Sequence, residues 1–467
     1  MKPAFLLLLL SLSPQSLAAE RLTLGQYLAQ VEGGNPSVAA ARLEGEGGYR
    51  RAEGASILTF PYLFGTASGY KDQSEGAYPS MSGTETTGNA YTFGLGMNSP
   101  IGLNGKYSWN SAYANTAGIT FPTAGKYTSY NKLDLTLNLA RNGFGSEVRA
   151  KKELLRAGNT AEALAGKFEY VGRMSEAENA YWRLAFARQS VQVQKDVLAR
   201  AEKLLQWARR RVGLQLGDKS DLLQAQASYD LHSLELTNAL EEEKGSARAF
   251  NLLRSLPGES VPEAVALPSI EETLKMPAPE RKGARLDLQA AEERTKAKQA
   301  QAQLDKENLK PSIDLIGAYS WNGREAERKD AVREAFGNHH PSKSIGLTFT
   351  VPLNAPQWVS ALKGANQEIE AAGLELEHSR NSEAKEWSDL SARLVNARAR
   401  LKLANTVESV QREKFENERQ RLLRGRTTTY QAVTFEQDYA QSQLLRLRTQ
   451  AEVLQLIAQL KTFRGEE

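Results

Sequence analysis

"LGDKSDLLQAQASYDLHSLEL" (216–236) and "RGRTTTYQAVTFEQDYAQSQL" (424–444) read as one device written twice. Each carries a glycine, Gly217 or Gly425, then a short run rich in Ser, Thr or Asp, then a helical pattern with few breaks. The two glycines stand 208 residues apart in a chain of 467. Glycine ends helices because it takes backbone conformations closed to other residues. Ser, Thr and Asp cap the free N–H groups of the helix that follows. Each stretch is therefore expected to turn a helical hairpin, with Gly213, Gly217 and Gly425 as the turn glycines.

The incoming helices are long. From about Ser146 to Val212 no proline occurs, and Ala, Leu, Glu, Lys, Arg and Gln dominate, the best helix formers. Ser146 is expected to cap this helix, with Glu147 in its first turn. The pattern recurs from about Gln357 to Leu423, with Asn354 as the expected cap and Pro356 in the first turn. About 65 residues at 1.5 Å each make a rod on the order of 100 Å, too long for the inside of one globular core. Val191, Leu198, Leu205 and Val212 recur every seven residues, which suits coiled-coil packing. After each turn a helix of about 36 residues returns. Trp182 and Trp387 hold comparable places on the two long helices and read as core.

The duplication extends upstream. "TFPYLFGTASGY" (from Thr59) follows a helical stretch, and "LKPSIDLIGAYS" (from Leu309) follows another. Pro61 and Pro311 end the helix and start an extended run. The expected organisation is a leader over 1–19, a first repeat over 20–256 and a Pro- and Glu-rich linker over 257–276. A second repeat follows over 277–464. Each repeat holds a helix, strands (about 60–140 and about 312–352) and a long helical hairpin (146–254 and 357–464).

The strand segments alternate. Leu133, Leu135, Leu137 and Leu139 oppose Asp134, Thr136 and Asn138; Ile345, Leu347, Phe349 and Val351 oppose Gly346, Thr348 and Thr350. Tyr91, Phe93, Leu95 and Met97 share a face, as do Leu103, Tyr107, Trp109 and Tyr113. "TFPYLFGTASGY" has aromatics on both faces. Period two with one greasy face fits a half-buried sheet or a barrel wall, and ten-residue segments with aromatic faces favour the barrel. Polar loops (from Lys71, Ala114 and Asn322) alternate with one tight turn, "NSPIG" (from Asn98), which matches outer-membrane barrels.

Composition bounds the function. Charged residues make up 24% and apolar ones 41%, the formal charge is +4, and there is no cysteine. The charge balance does not suggest nucleic acid, and the lack of thiols excludes disulfides and thiolate chemistry. "MKPAFLLLLLSLSPQSLAAE" has the basic start, apolar core and small-residue site of an export signal. No convergent catalytic, metal or cofactor set is found: His339 and His340 sit together in a polar loop, and Glu241, Glu242 and Glu243 read as a solvated helix face.

Taken together, these features resemble the TolC-like outer-membrane efflux proteins. The resemblance rests on the two halves, "LNLARNGFG", "FTVPLN", "GDKSDLLQAQ" and "GRTTTYQAV" in that order. It implies a mainly α fold with a transmembrane β-barrel part, in which a homotrimer forms a β-barrel and an α-helical tunnel. It also implies a Gram-negative outer-membrane location with a large periplasmic part, a periplasmic adaptor, an inner-membrane pump and no cofactor. Asp134, Thr136, Asn138, Thr348 and Thr350 would face the barrel lumen, and Leu133, Leu135, Leu137, Leu347 and Phe349 the lipid. Ser220-Asp221 resembles a Thr-Asp pair, and Arg426 an Arg, that hold the tip shut in a relative. Gln431 and Thr434 stand where that relative carries acidic residues. The family minimum is two strands per half; here the first half shows four, and the extra hairpin (about 90–113) is expected in the wall. The readings kept beside this one are the exit duct of a type I protein secretion system and a periplasmic coiled-coil scaffold without a channel.

Overall fold

The computed structural model describes residues 21–74, 78–120, 126–351, 353 and 355–464. The expected export signal, the expected cap Asn354 and parts of the loops from Lys71 and Ala114 lie outside these residues. The chain runs α1 (Leu24–Gly34), α2 (Pro36–Gly54), β1 (Tyr62–Asp72), α3 (Pro79–Ser82), β2 (Glu85–Asn98), β3 (Leu103–Ala117) and β4 (Tyr127–Asn138). It continues with α4 (Ser146–Gly213), α5 (Lys219–Leu253), α6 (Ile270–Lys275), α7 (Leu286–Leu309), β5 (Ser312–Glu325), α8 (Arg328–Ala335), β6 (Pro341–Thr350), α9 (Ala355–Leu423) and α10 (Thr429–Leu460). Two compact units form, each drawing on both halves of the chain. One takes the chain up to Glu44, Gly166–Leu286 and the chain from Asn381; the other takes Gly45–Ala165 and Asp287–Arg380.

The first unit is helical. Tyr27 stacks on Phe250 with ring centroids 4.1 Å apart, and the Tyr181 hydroxyl donates to the Leu22 carbonyl at 2.8 Å. Trp182 is buried in this cluster, and Trp387 packs against a second one, 5.3 Å from Phe463. Along α4 the buried seam is Val191, Val197, Ala201, Leu205 and Ala208; Leu198 and Val212 sit at its margin, because straight helices drift from a strict seven-residue repeat. The segment 257–276 packs rather than hanging free. Val261, Val265 and Leu267 are buried in the same core, and Ser269 with Glu272 forms a reciprocal cap on α6.

The second unit holds one six-stranded antiparallel sheet in the order β1-β2-β3-β4-β5-β6. Directly paired residues share a face, so the register (Leu95↔Tyr107↔Leu133↔Tyr319↔Lys343, and onward) makes the faces continuous across strands. In β1 the aromatics do not split between faces, as the sequence suggested. Tyr62, Phe64 and Tyr70 share one face, and each lies across from a glycine of β2, namely Gly96, Gly94 and Gly88. A Cβ on those glycines would fall 2.4, 2.7 and 2.8 Å from the facing rings. The rings thus occupy the space the missing side chains leave.

Two expectations are corrected. Ser146 already has helical angles (φ −60°, ψ −41°), and the cap contact comes from Asn142, whose Oδ1 accepts from the Val148 N–H at 3.3 Å. Asn142 can do this because it adopts a left-handed conformation (φ 58°) that Asn tolerates well. The stretch from Asn322 is not all loop: β5 extends to Glu325, and α8 follows. Ala331 and Ala335 of α8 are buried, and its backbone comes so close to Gly323 that a Cβ there would sit 2.3 Å from the Ala331 carbonyl.

A Gly94→Val chain should lose the Phe64 contact and collide with the Tyr107 carbonyl, 2.4 Å from the new Cβ, whereas Gly346→Ala meets nothing within 4 Å. Protease resistance of the folded sheet should fall in the first and hold in the second; equal resistance would show that the glycine–ring pairs are dispensable.

Candidate functional site

The residues singled out from the sequence lie in two places, the hairpin turns of the first unit and the sheet of the second. In the second turn Gly425 is left-handed (φ 67°); its N–H donates to Leu422 O and the Arg426 N–H to Arg421 O, both at 2.9 Å. These two bonds satisfy carbonyls that the end of α9 leaves free. The first turn makes the same pair: Gln215 N–H to Val212 O (3.0 Å) and Leu216 N–H to Arg211 O (2.9 Å). Arg211 also donates to Leu216 O (2.7 Å), as Arg421 does to Arg426 O (3.5 Å), and Asp218 and Thr428 cap the returning helices.

Each of these correspondences spans 210 residues. The turns therefore match with Gln215, not Gly217, opposite Gly425. Aligning them by glycine was two residues off, because bond geometry fixes the left-handed position and Gln215 (φ 57°) accepts it at a cost of about 1–2 kcal/mol. Gly217 serves space instead: a Cβ there would lie 3.0 Å from the Arg211 Cβ. Gly213 is the last residue of α4, and a Cβ added to it would meet nothing within 4 Å.

The Ser220 N–H donates to the Asp218 carboxylate (3.3 Å), and Asp221 stands in the first turn of α5. Arg426 contributes main-chain bonds to its own turn. Among the described residues, no ion pair joins Asp221 to Arg426 within one chain. By the offset of 210 residues, Arg426 corresponds to Leu216 and Asp221 to Gln431, so the two turns present different side chains on the same backbone.

An ionic cluster that the sequence reading missed lies between the same helices. Glu436 of α10 is buried; its Oε1 accepts from Arg200 Nε of α4 at 3.1 Å, and its Oε2 lies 3.2 Å from Nε2 of the buried His232 of α5. His232 Nδ1 is 3.0 Å from Glu235. The Arg200 guanidinium also lies over the rings of Tyr439 (5.1 Å) and Phe415 (5.8 Å), the latter from α9. One carboxylate thus ties together helices of both hairpins. Burial opposes protonation of His232, but the carboxylates of Glu436 and Glu235 outweigh it and raise its pKa. The sequence signal was Glu436 in the run "AVTFEQDYA", three residues from the buried Val433 and Tyr439, where an i, i+3 apolar stripe contains a carboxylate.

In the sheet, Asp134, Thr136, Asn138, Thr348 and Thr350 share one face, and Leu133, Leu135, Leu137, Leu347 and Phe349 the other. The polar face is knit by hydrogen bonds: Asn104 to Asn138 (3.1 Å), Asn138 to Asp314 (2.6 Å) and the Lys132–Asp134 ion pair (2.8 Å). The apolar face is exposed over much of its area; Phe349 is 73% and Phe93 57% accessible. At the end away from the strand-to-helix junctions it turns polar, and α8 covers it. There Asn131 Nδ2 donates to Ala335 O (2.9 Å), and Arg328 lies over Tyr91 and Tyr127. No helix among the described residues is long and apolar enough to cross a membrane.

Residues 280–466 match the family model of outer membrane efflux proteins. No curated protein matches. The chain has the fold of the outer membrane protein VceC from Vibrio cholerae, at 16% identity over 95% of this chain and 96% of that one (TM-score 0.67). It is similarly close to the outer-membrane channel OprN (16%, 95% and 90%, TM-score 0.65) and to the Campylobacter jejuni CmeC outer membrane channel (14%, 95% and 87%, TM-score 0.66). The resemblance first read in the hairpin turns and strand patterns stands in both comparisons.

Gly425→Val should destabilise its turn by about 1–2 kcal/mol and Gln215→Gly should relieve a similar strain in the other; hydrogen exchange at the ends of α9 and α4 reads both, and opposite or absent shifts would refute the assignment. Because the pKa of His232 is raised in the fold, its contribution is complete below its unfolded value near 6.5 and is lost as pH rises through the folded value. Amides of α5 around His232 should therefore open more readily as pH rises from about 6.5 through its folded pKa, and His232→Gln should abolish that dependence. A pH-independent opening in the parent chain would contradict it.

Proposed function

We propose that the chain is the outer-membrane duct of a tripartite efflux system, a passive exit path for substrates delivered by an inner-membrane pump and a periplasmic adaptor. One observation carries this reading: β2 to β6 keep one apolar exposed face and one hydrogen-bonded polar face in phase across a single sheet, while β1 adds Leu63 to the apolar face and sets Tyr62, Phe64 and Tyr70 on the polar one. A sheet with a broad greasy face exposed to water is unfavourable. The same face against hydrocarbon, with water inside, is the arrangement of an outer-membrane barrel. The family match over residues 280–466 supports efflux rather than protein secretion, and a scaffold without a channel has no use for the exposed face.

Three copies would form the duct. Asp134, Thr136, Asn138, Thr348 and Thr350 would line its lumen, and Leu133, Leu135, Leu137, Leu347 and Phe349 would meet lipid. The hairpin turns would form the periplasmic tip that docks the adaptor, with Gly425 setting the backbone and Gly217 the close approach. In the closed duct Asp221 would pair with Arg426 across neighbouring hairpins, with Ser220 beside it. An exposed pair contributes only about 0–1 kcal/mol, but three acting together can bias an open–closed equilibrium.

Arg at Leu135 should impair insertion by about 2–4 kcal/mol, and Arg at Thr136 should leave it near normal; outer-membrane yield of the two variants measures this, and equal yields would count against the wall. In planar bilayers Asp221→Ala and Arg426→Ala should each raise conductance, with the double variant no leakier than either; unchanged conductance in both singles would remove the lock.

A further inference from the structure

The internal repeat shows which part of the sheet is additional. In the second half, β5 follows α7, one connection leads to β6, and β6 leads into α9. In the first half, β1 stands where β5 does, and β4, which leads into α4, stands where β6 does. The hairpin β2–β3 has no counterpart. It is inserted into the connection between β1 and β4, at the end of the sheet away from the strand-to-helix junctions.

An inserted hairpin can stand clear of the sheet it interrupts, but this one lies in its plane. β1 pairs with β2 from Tyr62↔Gly96 to Asp72↔Thr86, and β3 pairs with β4 from Leu103↔Leu137 to Tyr113↔Tyr127. The hairpin therefore separates β1 from β4, which would otherwise be neighbours. Its faces are in phase with those of β4: Phe93, Leu95 and Tyr107 lie with Leu133, while Thr92, Asn110 and Lys106 lie with Asp134; on the β1 side Leu63 joins the first face and Tyr62 and Phe64 the second. Its tight turn is also fixed. Gly102 is left-handed (φ 80°), its carbonyl accepts from the Asn138 N–H (3.0 Å), and Arg149 of α4 donates to Pro100 O at 2.9 Å. Gly145 leaves the room for this contact, since a Cβ there would lie 1.9 Å from the Pro100 carbonyl.

The two edges, β1 and β6, have no strand partner among the described residues, and both are exposed along nearly their full length. Unpaired edge groups are not tolerated in hydrocarbon, so the edges must meet another chain. Six alternating strands make β1 and β6 run in opposite directions. The β6 of one copy can then pair antiparallel with the β1 of the next, which an odd strand number would not allow.

We propose that the hairpin β2–β3 is part of the membrane wall, so that three copies close an eighteen-stranded pore sized for bulkier solutes than the twelve strands of three chains with two plain repeats each would admit. This inference rests on the trimeric duct proposed above. With strands about 4.8 Å apart and tilted about 40°, eighteen give a backbone radius of about 18 Å and twelve about 12 Å. The polar face carries both signs of charge, Lys106 and Lys132 beside Asp134, so the added width selects by size of the hydrated solute rather than by the sign of its charge.

The chain contains no cysteine, so Thr136→Cys can carry a single nitroxide and report the distance between copies in the assembled, full-length protein. Threefold symmetry converts the two radii into separations of about 31 Å and about 21 Å. The intact chain is expected near the larger value. Excision of residues 86–116, which joins the two outer connections, should shorten the separation by about 10 Å. A distance near 21 Å in the intact protein would overturn the inference while leaving the trimeric duct standing. Absence of any symmetric inter-copy distance would overturn both. If the excised chain fails to assemble, the intact distance alone decides. Exclusion of graded polyethylene glycols from the outer side gives a second reading of the intact protein, and a cutoff matching the narrower pore would likewise overturn the inference.

Discussion

Backbone hydrogen bonding is the constraint on which the sheet depends. A strand in hydrocarbon must pair both of its edges, and a strand in water must not display a wide greasy face. The six-stranded sheet meets the first demand internally at all but β1 and β6, and from β2 to β6 its register keeps Phe93, Leu95, Tyr107, Leu133 and Leu347 on one side. Glycine and aromatic residues share the work locally: the rings of Tyr62, Phe64 and Tyr70 cover glycines that close backbone approach requires. On that same face the Asn104–Asn138–Asp314 ladder pairs polar side chains with one another.

The helical hairpins solve a related problem at the ends of α4 and α9. Their last carbonyls are closed by the same pair of main-chain bonds, with a left-handed residue at the same place. What differs is the side chain: glycine in one turn, glutamine in the other. Glu436, shared by Arg200 and His232, then links the hairpins through a charge that is costly to leave unpaired. A cluster of this kind makes the relation between hairpins sensitive to protonation, which pure apolar packing would not.

Much of this was legible in the sequence, for identifiable reasons. Period-two alternation placed Leu133, Leu135 and Leu137 opposite Asp134, Thr136 and Asn138, because a strand allows no other arrangement. Long runs free of proline marked α4 and α9. Other features were hidden because they depend on contacts distant in sequence. Nothing local in "TFPYLFGTASGY" announces that its rings rest on glycines of the next strand. The turns were aligned by glycine, whereas hydrogen-bond geometry matches Gln215 to Gly425. The eight residues of α8 are too short and too polar to signal a helix, and only the space over Gly323 lets it dock. The role of His232 depends on Glu436, 204 residues away.

The central claim is that the sheet is a membrane wall with its apolar face toward lipid. Nitroxides placed singly at residues 131–138 of β4, in the full chain reconstituted in a bilayer, test it most directly through their accessibility to oxygen and to a water-soluble nickel complex. The account predicts alternation along 133–138: oxygen access at Leu133, Leu135 and Leu137, and nickel access at Asp134, Thr136 and Asn138, with Asn131 shielded from both by α8. Uniform nickel access along the strand would contradict it.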